Sequence, residues 1–129
     1  MNILFTAHWF IPWAILLVGL VAIFKFARGY MSEAAFTRTD GSLMAGFCGL
    51  LDLQAVLGFI YFLQSGYLGV GFPTYRILHG VTMLAALIVA HFFIFWKNAD
   101  DQTRFINNFY ILLASFMLML VGISLIPNR

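Results

Sequence analysis

The chain has 129 residues, of which 63% are hydrophobic, 18% aromatic and only 9% charged. Soluble domains carry about 25% charged residues, so this chain lacks the polar surface needed to face water. Its net charge of +2 gives no reason to expect a nucleic-acid partner. The composition is that of an integral membrane protein.

The first uncharged run, Asn2 to Phe24, ends at Lys25. About 20 apolar residues at 1.5 Å each cross about 30 Å of hydrocarbon, so this run predicts a helix over about 7–27. It has no basic leading region and no small-x-small cleavage site, and it reads as a retained helix rather than a signal peptide. Pro12 fits the first turn, where a missing N–H costs little. The polar stretch "ARGYMSEAAFTRTDG" (27–41) reads as a loop with room for a short interfacial helix around Ser32 to Phe36.

Gly41 to Tyr75 carries only Asp52 as a charge and predicts a second helix over about 43–65. Gly41, Ala45 and Gly49 fall four apart, with Gly46 beside them. That is the small-xxx-small spacing that lets helix backbones approach, and close packing with another helix is expected. The lone Cys48 reads as inert packing. The loop "SGYLGVGFPTY" (65–75) is Gly-rich and aromatic, and is expected on the bilayer surface or folded back toward it.

Ile77 to Trp96 is uncharged and predicts a third helix over about 76–96. Phe105 to Asn128 predicts a fourth over about 105–126. The expected fold is all-α, a four-helix up-down-up-down membrane bundle with short loops, one transmembrane domain over 1–129.

The loops between helices one and two and between three and four, with their flanks, hold Lys25, Arg28, Arg38, Lys97 and Arg104. The opposite side holds Arg76 and Arg129. The positive-inside rule then places loops 28–42 and 97–104 in the cytoplasm and both termini outside.

Ionisable residues inside a span are expensive and need a partner or a task. His8 opens helix one, and Arg76 and His79 open helix three, so all three share a depth near the outer interface. Gln64, near the outer end of helix two, can join them. His91 lies twelve residues after His79, about 18 Å further along the axis. Counted from the opposite ends, His91 and Asp52 differ in depth by roughly 6 Å. They are expected to form a buried pair, with Gln54 as further polar company.

Three chemistries compete for the outer cluster. His8 and His79, on different helices at one depth, can supply both axial ligands to a haem b, with Arg76 on a propionate. Alternatively, Arg76 and His79 can hydrogen-bond a quinone carbonyl or a lipid phosphate. Otherwise His8 belongs with Trp9 and Trp13 to an interfacial aromatic belt while Arg76 snorkels. Two stacked haems need more histidines than the three present, and His79 and His91 point about 120° apart. No zinc spacing, phosphate loop or nucleophile elbow occurs. Met44, Met83, Met117 and Met119 read as gap-filling core rather than a copper site.

"AHWFIPW" opening helix one, "LLDLQAVLGFIYF" in helix two, "YRILHGVTMLAALIVAH" in helix three and "GISLIP" ending helix four together carry a resemblance over nearly the whole chain. It resembles a group of small four-helix bacterial membrane proteins often labelled cytochrome b-like. Their pattern is matched by His8, Trp13, Arg76, His79 and His91. The chain departs from it in "HWFIPW", where an arginine ordinarily precedes the tryptophan, so one of the pattern's cations is missing. The resemblance implies a bacterial energy-transducing inner membrane as the setting.

The reading that follows is a small accessory subunit of a respiratory or photosynthetic electron-transfer complex, held among lipids and larger membrane partners. No catalysis of its own is expected. A b-type cytochrome using His8 and His79 and exchanging electrons with quinone is the alternative. A small transporter or channel using Asp52 and His91 is a third.

Overall fold

The structure, a computed structural model, describes residues 2–127. Arg129, counted in the orientation argument, lies outside the described residues. The described chain forms α1 (Ile3–Met31), α2 (Arg38–Ser65), a π-type turn (Gly66–Val70), α3 (Thr74–Ala90), a 3-10 segment (His91–Trp96) and α4 (Asp101–Ser124). Four helices are long and apolar enough to cross a membrane, and the chain is a multi-pass membrane protein.

Each of α1, α2 and α4 starts earlier than the uncharged runs predict, because polar caps begin it. The Asn2 side chain accepts from the Leu4 amide at 2.9 Å, which starts α1 at Ile3. Thr37 and Asp40 form a reciprocal capping box at the head of α2. Asp100 accepts from the Thr103 hydroxyl at 2.6 Å and its amide at 3.1 Å, which starts α4. These two bonds hold the Asp100 carboxyl below the usual carboxylate range.

The longer α1 changes the meaning of Pro12, which lies inside the helix rather than in its first turn. The short interfacial helix at 32–36 does not form. Glu33 enters the left-handed region at φ 53, and Phe36 tucks inward against Phe105 and Phe26, with ring centroids at 5.0 and 5.8 Å. The 65–75 loop folds back: Phe72 packs against Phe62, the rings tilted with centroids at 5.0 Å, and fills the space a Gly66 side chain would take. Helix three changes to 3-10 geometry at His91 instead of running on to Trp96.

In the bundle α1 packs on α2 and α4, and α3 packs on α4 and less closely on α2. Lipid tails are as apolar as leucine, so helix contact rests on close packing and interhelical hydrogen bonds. Phe26, Phe47, Phe105, Met44 and Leu112 form the tightest part of the core. Large rings seat on glycines where α1 meets α4 and α2: Phe116 and Phe47 on Gly19, Phe105 on Gly29 and His8 on Gly58. Asn108 accepts from the Trp96 indole at 2.8 Å, and the Ser115 hydroxyl donates to the Ala86 carbonyl at 3.2 Å. Cys48 is buried, its thiol 3.3 Å from the Ala90 carbonyl.

The glycine stripe expected to hold a neighbouring helix does not do so within the chain. A side chain at Gly46 or Gly49 would meet nothing within 4 Å, and Gly41 would reach only Phe36. Ala45, Gly46 and Gly49 all lie on the exposed side of α2.

Candidate functional site

The four residues expected at the outer end are engaged separately. Arg76 crowns the end of α2. Its guanidinium donates to the Ser65 hydroxyl at 2.5 Å, the Gly71 carbonyl at 2.6 Å and the Phe62 carbonyl at 3.4 Å, and sits 5.0 Å over the Phe62 ring. A helix C-terminus leaves carbonyls without partners and carries partial negative charge, which a cation relieves. Gln64 accepts from the Asn2 side chain at 2.6 Å, tying the start of α1 to the end of α2.

His8 lies in the α1–α2 seam. The nitrogen-bearing edge of its ring faces the Gly58 backbone, so that a Cβ there would sit 2.7 Å from His8 Cε1. Tyr61 is stacked on it at 6.3 Å. His79 lies in the α3–α4 seam with Nδ1 2.8 Å from the Gly122 carbonyl. A carbonyl only accepts, so Nδ1 carries the hydrogen. A bis-imidazole haem needs one ring nitrogen from each histidine aimed at a common iron. These two rings are turned toward different helices, and the bond at Nδ1 leaves His79 Nε2 as its ligating nitrogen.

Gln54 explains part of the His8 region. Proline has no N–H, so Pro12 leaves the His8 carbonyl, four residues earlier, without its helical donor. Gln54 on α2 supplies one: its Nε2 donates to the His8 carbonyl at 2.8 Å. In hydrocarbon a freed carbonyl must find a partner within the protein, and the α1–α2 contact provides it.

Asp52 and His91 come together. His91 Nε2 lies 3.4 Å from Asp52 Oδ2, while Nδ1 is 2.8 Å from the Leu87 carbonyl and so carries the hydrogen there. A proton on Nε2 or on the carboxyl makes the 3.4 Å approach attractive. The pair is not buried as expected: the Asp52 side chain is 51% exposed and that of His91 35%. It lies on the outside of the bundle between α2 and α3. Asp52 follows Arg38 by fourteen residues and precedes Ser65 by thirteen, which places it about 20 Å from either end of α2. That is the middle of the membrane by the length of the helix.

A further ion pair lies near the other end. The Lys25 ammonium donates to Asp40, whose side chain is 1% exposed against 43% for Lys25. Asp40 also accepts from the Thr37 amide at 2.8 Å and hydroxyl at 3.0 Å. Sequence reading passed over Asp40 as a loop charge; the T-x-x-D spacing of the capping box was the available signal. Asn108, Ser115 and Trp96 were also passed over, since single polar residues in an apolar run do not declare which seam they join.

No protein-family model, curated protein or solved structure matches the chain.

Proposed function

We propose that the chain is a small accessory subunit of a larger membrane complex, attached through the outer face of α2 and its edge with α3. One observation carries this reading. A half-exposed Asp52–His91 pair lies on the outside of the bundle, midway along α2, and Ala45, Gly46 and Gly49 are exposed beside it. Acyl chains cannot solvate an ionisable pair, and an isolated central Asp costs about 3 kcal/mol on insertion scales. A neighbouring transmembrane helix that approaches along the small residues covers the pair and can hydrogen-bond it.

The partner in this reading is a different chain. A two-fold contact between copies sets the same patch against itself, and parallel α2 helices crossing at Gly49 would bring Asp52 against Asp52. The resemblance to cytochrome b-like bundles supports an electron-transfer complex of the bacterial inner membrane as the setting, with loops 28–42 and 97–104 cytoplasmic. Haem and quinone chemistry would belong to the partner in this reading, since His8 and His79 face different seams and Arg76 is taken up by the end of α2.

The test is extraction of the tagged chain from its native membrane with the surrounding lipid retained. The reading predicts that it migrates with a larger assembly, and that Gly46→Leu with Gly49→Leu releases it. A wild-type chain that always runs alone, or as two copies, sinks the proposal.

A further inference from the structure

A shallow groove of about 370 Å³ opens at the loop end of the bundle, between the start of α2 and the start of α4. Arg38, the first residue of α2, and Arg104, in the first turn of α4, stand on its rim. Ser42 adds a hydroxyl, that of Thr37 being given to Asp40, and Gly41 and Ala45 leave the floor open. The Arg104 guanidinium lies flat over the Phe36 ring at 3.9 Å. Stacking uses the face of the guanidinium and leaves its N–H donors in the plane, available to an acceptor.

Two of the nearby carboxylates are otherwise engaged. Asp40 faces inward to Lys25 and Thr37, and Asp100 caps α4 through Thr103. Asp101, one turn before Arg104, makes no ion pair with it; among the described residues the ion pairs are Lys25–Asp40 and His91–Asp52. Two cations from separate helices therefore line one groove whose lining includes no carboxylate.

The groove sits where the spans begin, at the level of lipid headgroups. Its apolar side, Phe36 with Gly41 and Ala45, continues onto the membrane-facing surface of α2. We infer that this groove binds an anionic phospholipid, its phosphate held between Arg38 and Arg104 and its glycerol region laid over Gly41 and Ala45. A phosphate suits paired guanidiniums because it offers two or more oxygens to fixed N–H forks. The apolar floor favours a lipid over a free anion. This site shares Ala45 with the small-residue face of α2 but none of the Asp52–His91 pair, and its test on the purified chain does not depend on the partner reading.

Native mass spectrometry of the detergent-purified chain tests the site, with phosphatidylglycerol and phosphatidylcholine as probes. Phosphatidylglycerol is expected to be retained in preference, and millimolar inorganic phosphate is expected not to displace it. Arg38→Gln with Arg104→Gln is expected to weaken that retention roughly 30-fold, and Arg38→Gln alone roughly fivefold. Arg38 is exposed at a helix start, so the single variant keeps the fold if the double does not. Lys97→Gln, outside the groove, is expected to change retention less than twofold. Equal retention of the two lipids, or unchanged retention in Arg38→Gln, overturns the inference. So does displacement by phosphate, which would make the site one for a soluble anion, or an equal loss in Lys97→Gln, which would make the attraction diffuse.

Discussion

Replacing Gln54 with Leu tests the link between a proline in one helix and an amide in the next. The Gln54 Nε2 bond to the His8 carbonyl stands in for the helical bond that Pro12 cannot make. Interhelical side-chain bonds in membranes average about 0.6 kcal/mol and reach about 1.7, and a carbonyl left unsatisfied costs about 1–3. Against this, Gln54 Oε1 is buried with no hydrogen-bond partner, so its removal returns part of the loss. A net cost of about 1 kcal/mol is expected for Gln54→Leu. In a Pro12→Ala background the backbone amide restored at position 12 donates to the His8 carbonyl, and the same substitution is expected to cost almost nothing. The double-mutant cycle therefore predicts a coupling of about 1 kcal/mol, read from reversible unfolding in mixed micelles by circular dichroism. Equal costs in the two backgrounds, within about 0.3 kcal/mol, would refute the compensation.

Three further outcomes follow from the packing, and a fourth from the histidine geometry. Gly19→Ala drives a methyl into Phe116 Cζ and sets it 3.0 Å from Phe47 Cε2; unfolding measurements are expected to show a loss of about 1–3 kcal/mol. Gly46→Ala, in open space, is expected to be neutral or stabilising by up to about 1 kcal/mol, and an equal loss at both sites would contradict the seam assignment. Lys25→Met strips the cation from buried Asp40 and is expected to cost about 1–3 kcal/mol, below the range for fully buried pairs because Lys25 is 43% exposed. Adding Asp40→Leu should recover part of that loss, and a more damaged double variant would argue against the pairing. The chain folded in the presence of haem is expected to show no b-type absorption band, since His8 and His79 face different seams; a band lost in His79→Ala would overturn that geometry.

The spans were legible because charges are scarce, and depth along each axis followed from counting residues. That counting brought Asp52 to His91. It did not reveal that the pair faces outward, because azimuth is set by packing. In a membrane the lipid side and the core side of α2 are both apolar, so no stripe in the sequence distinguishes them. The same ambiguity hid the glycines: Gly49 and Gly19 look alike in the sequence, yet one lies open and the other lies beneath two phenylalanines. Charges also misplaced the helix ends, since the capping groups of Asn2, Thr37 and Asp100 start helices in the polar zone. Once α1 begins at Ile3, Pro12 becomes an interior proline and Gln54 acquires its role. The outer residues are engaged one by one for a related reason: His8, Arg76 and His79 are each set against a different neighbour.

The central claim is that the outer face of α2 carries a transmembrane partner. A photoreactive amino acid at Val56, exposed one turn beyond Asp52 on the same face, irradiated in the native membrane and compared with one at the exposed Leu120 of α4, tests it most directly. The account predicts a discrete protein adduct from position 56, of a mass other than two copies of this 14.6 kDa chain, and lipid adducts alone from position 120. Lipid adducts alone from position 56, or a cross-link between two copies, would contradict it.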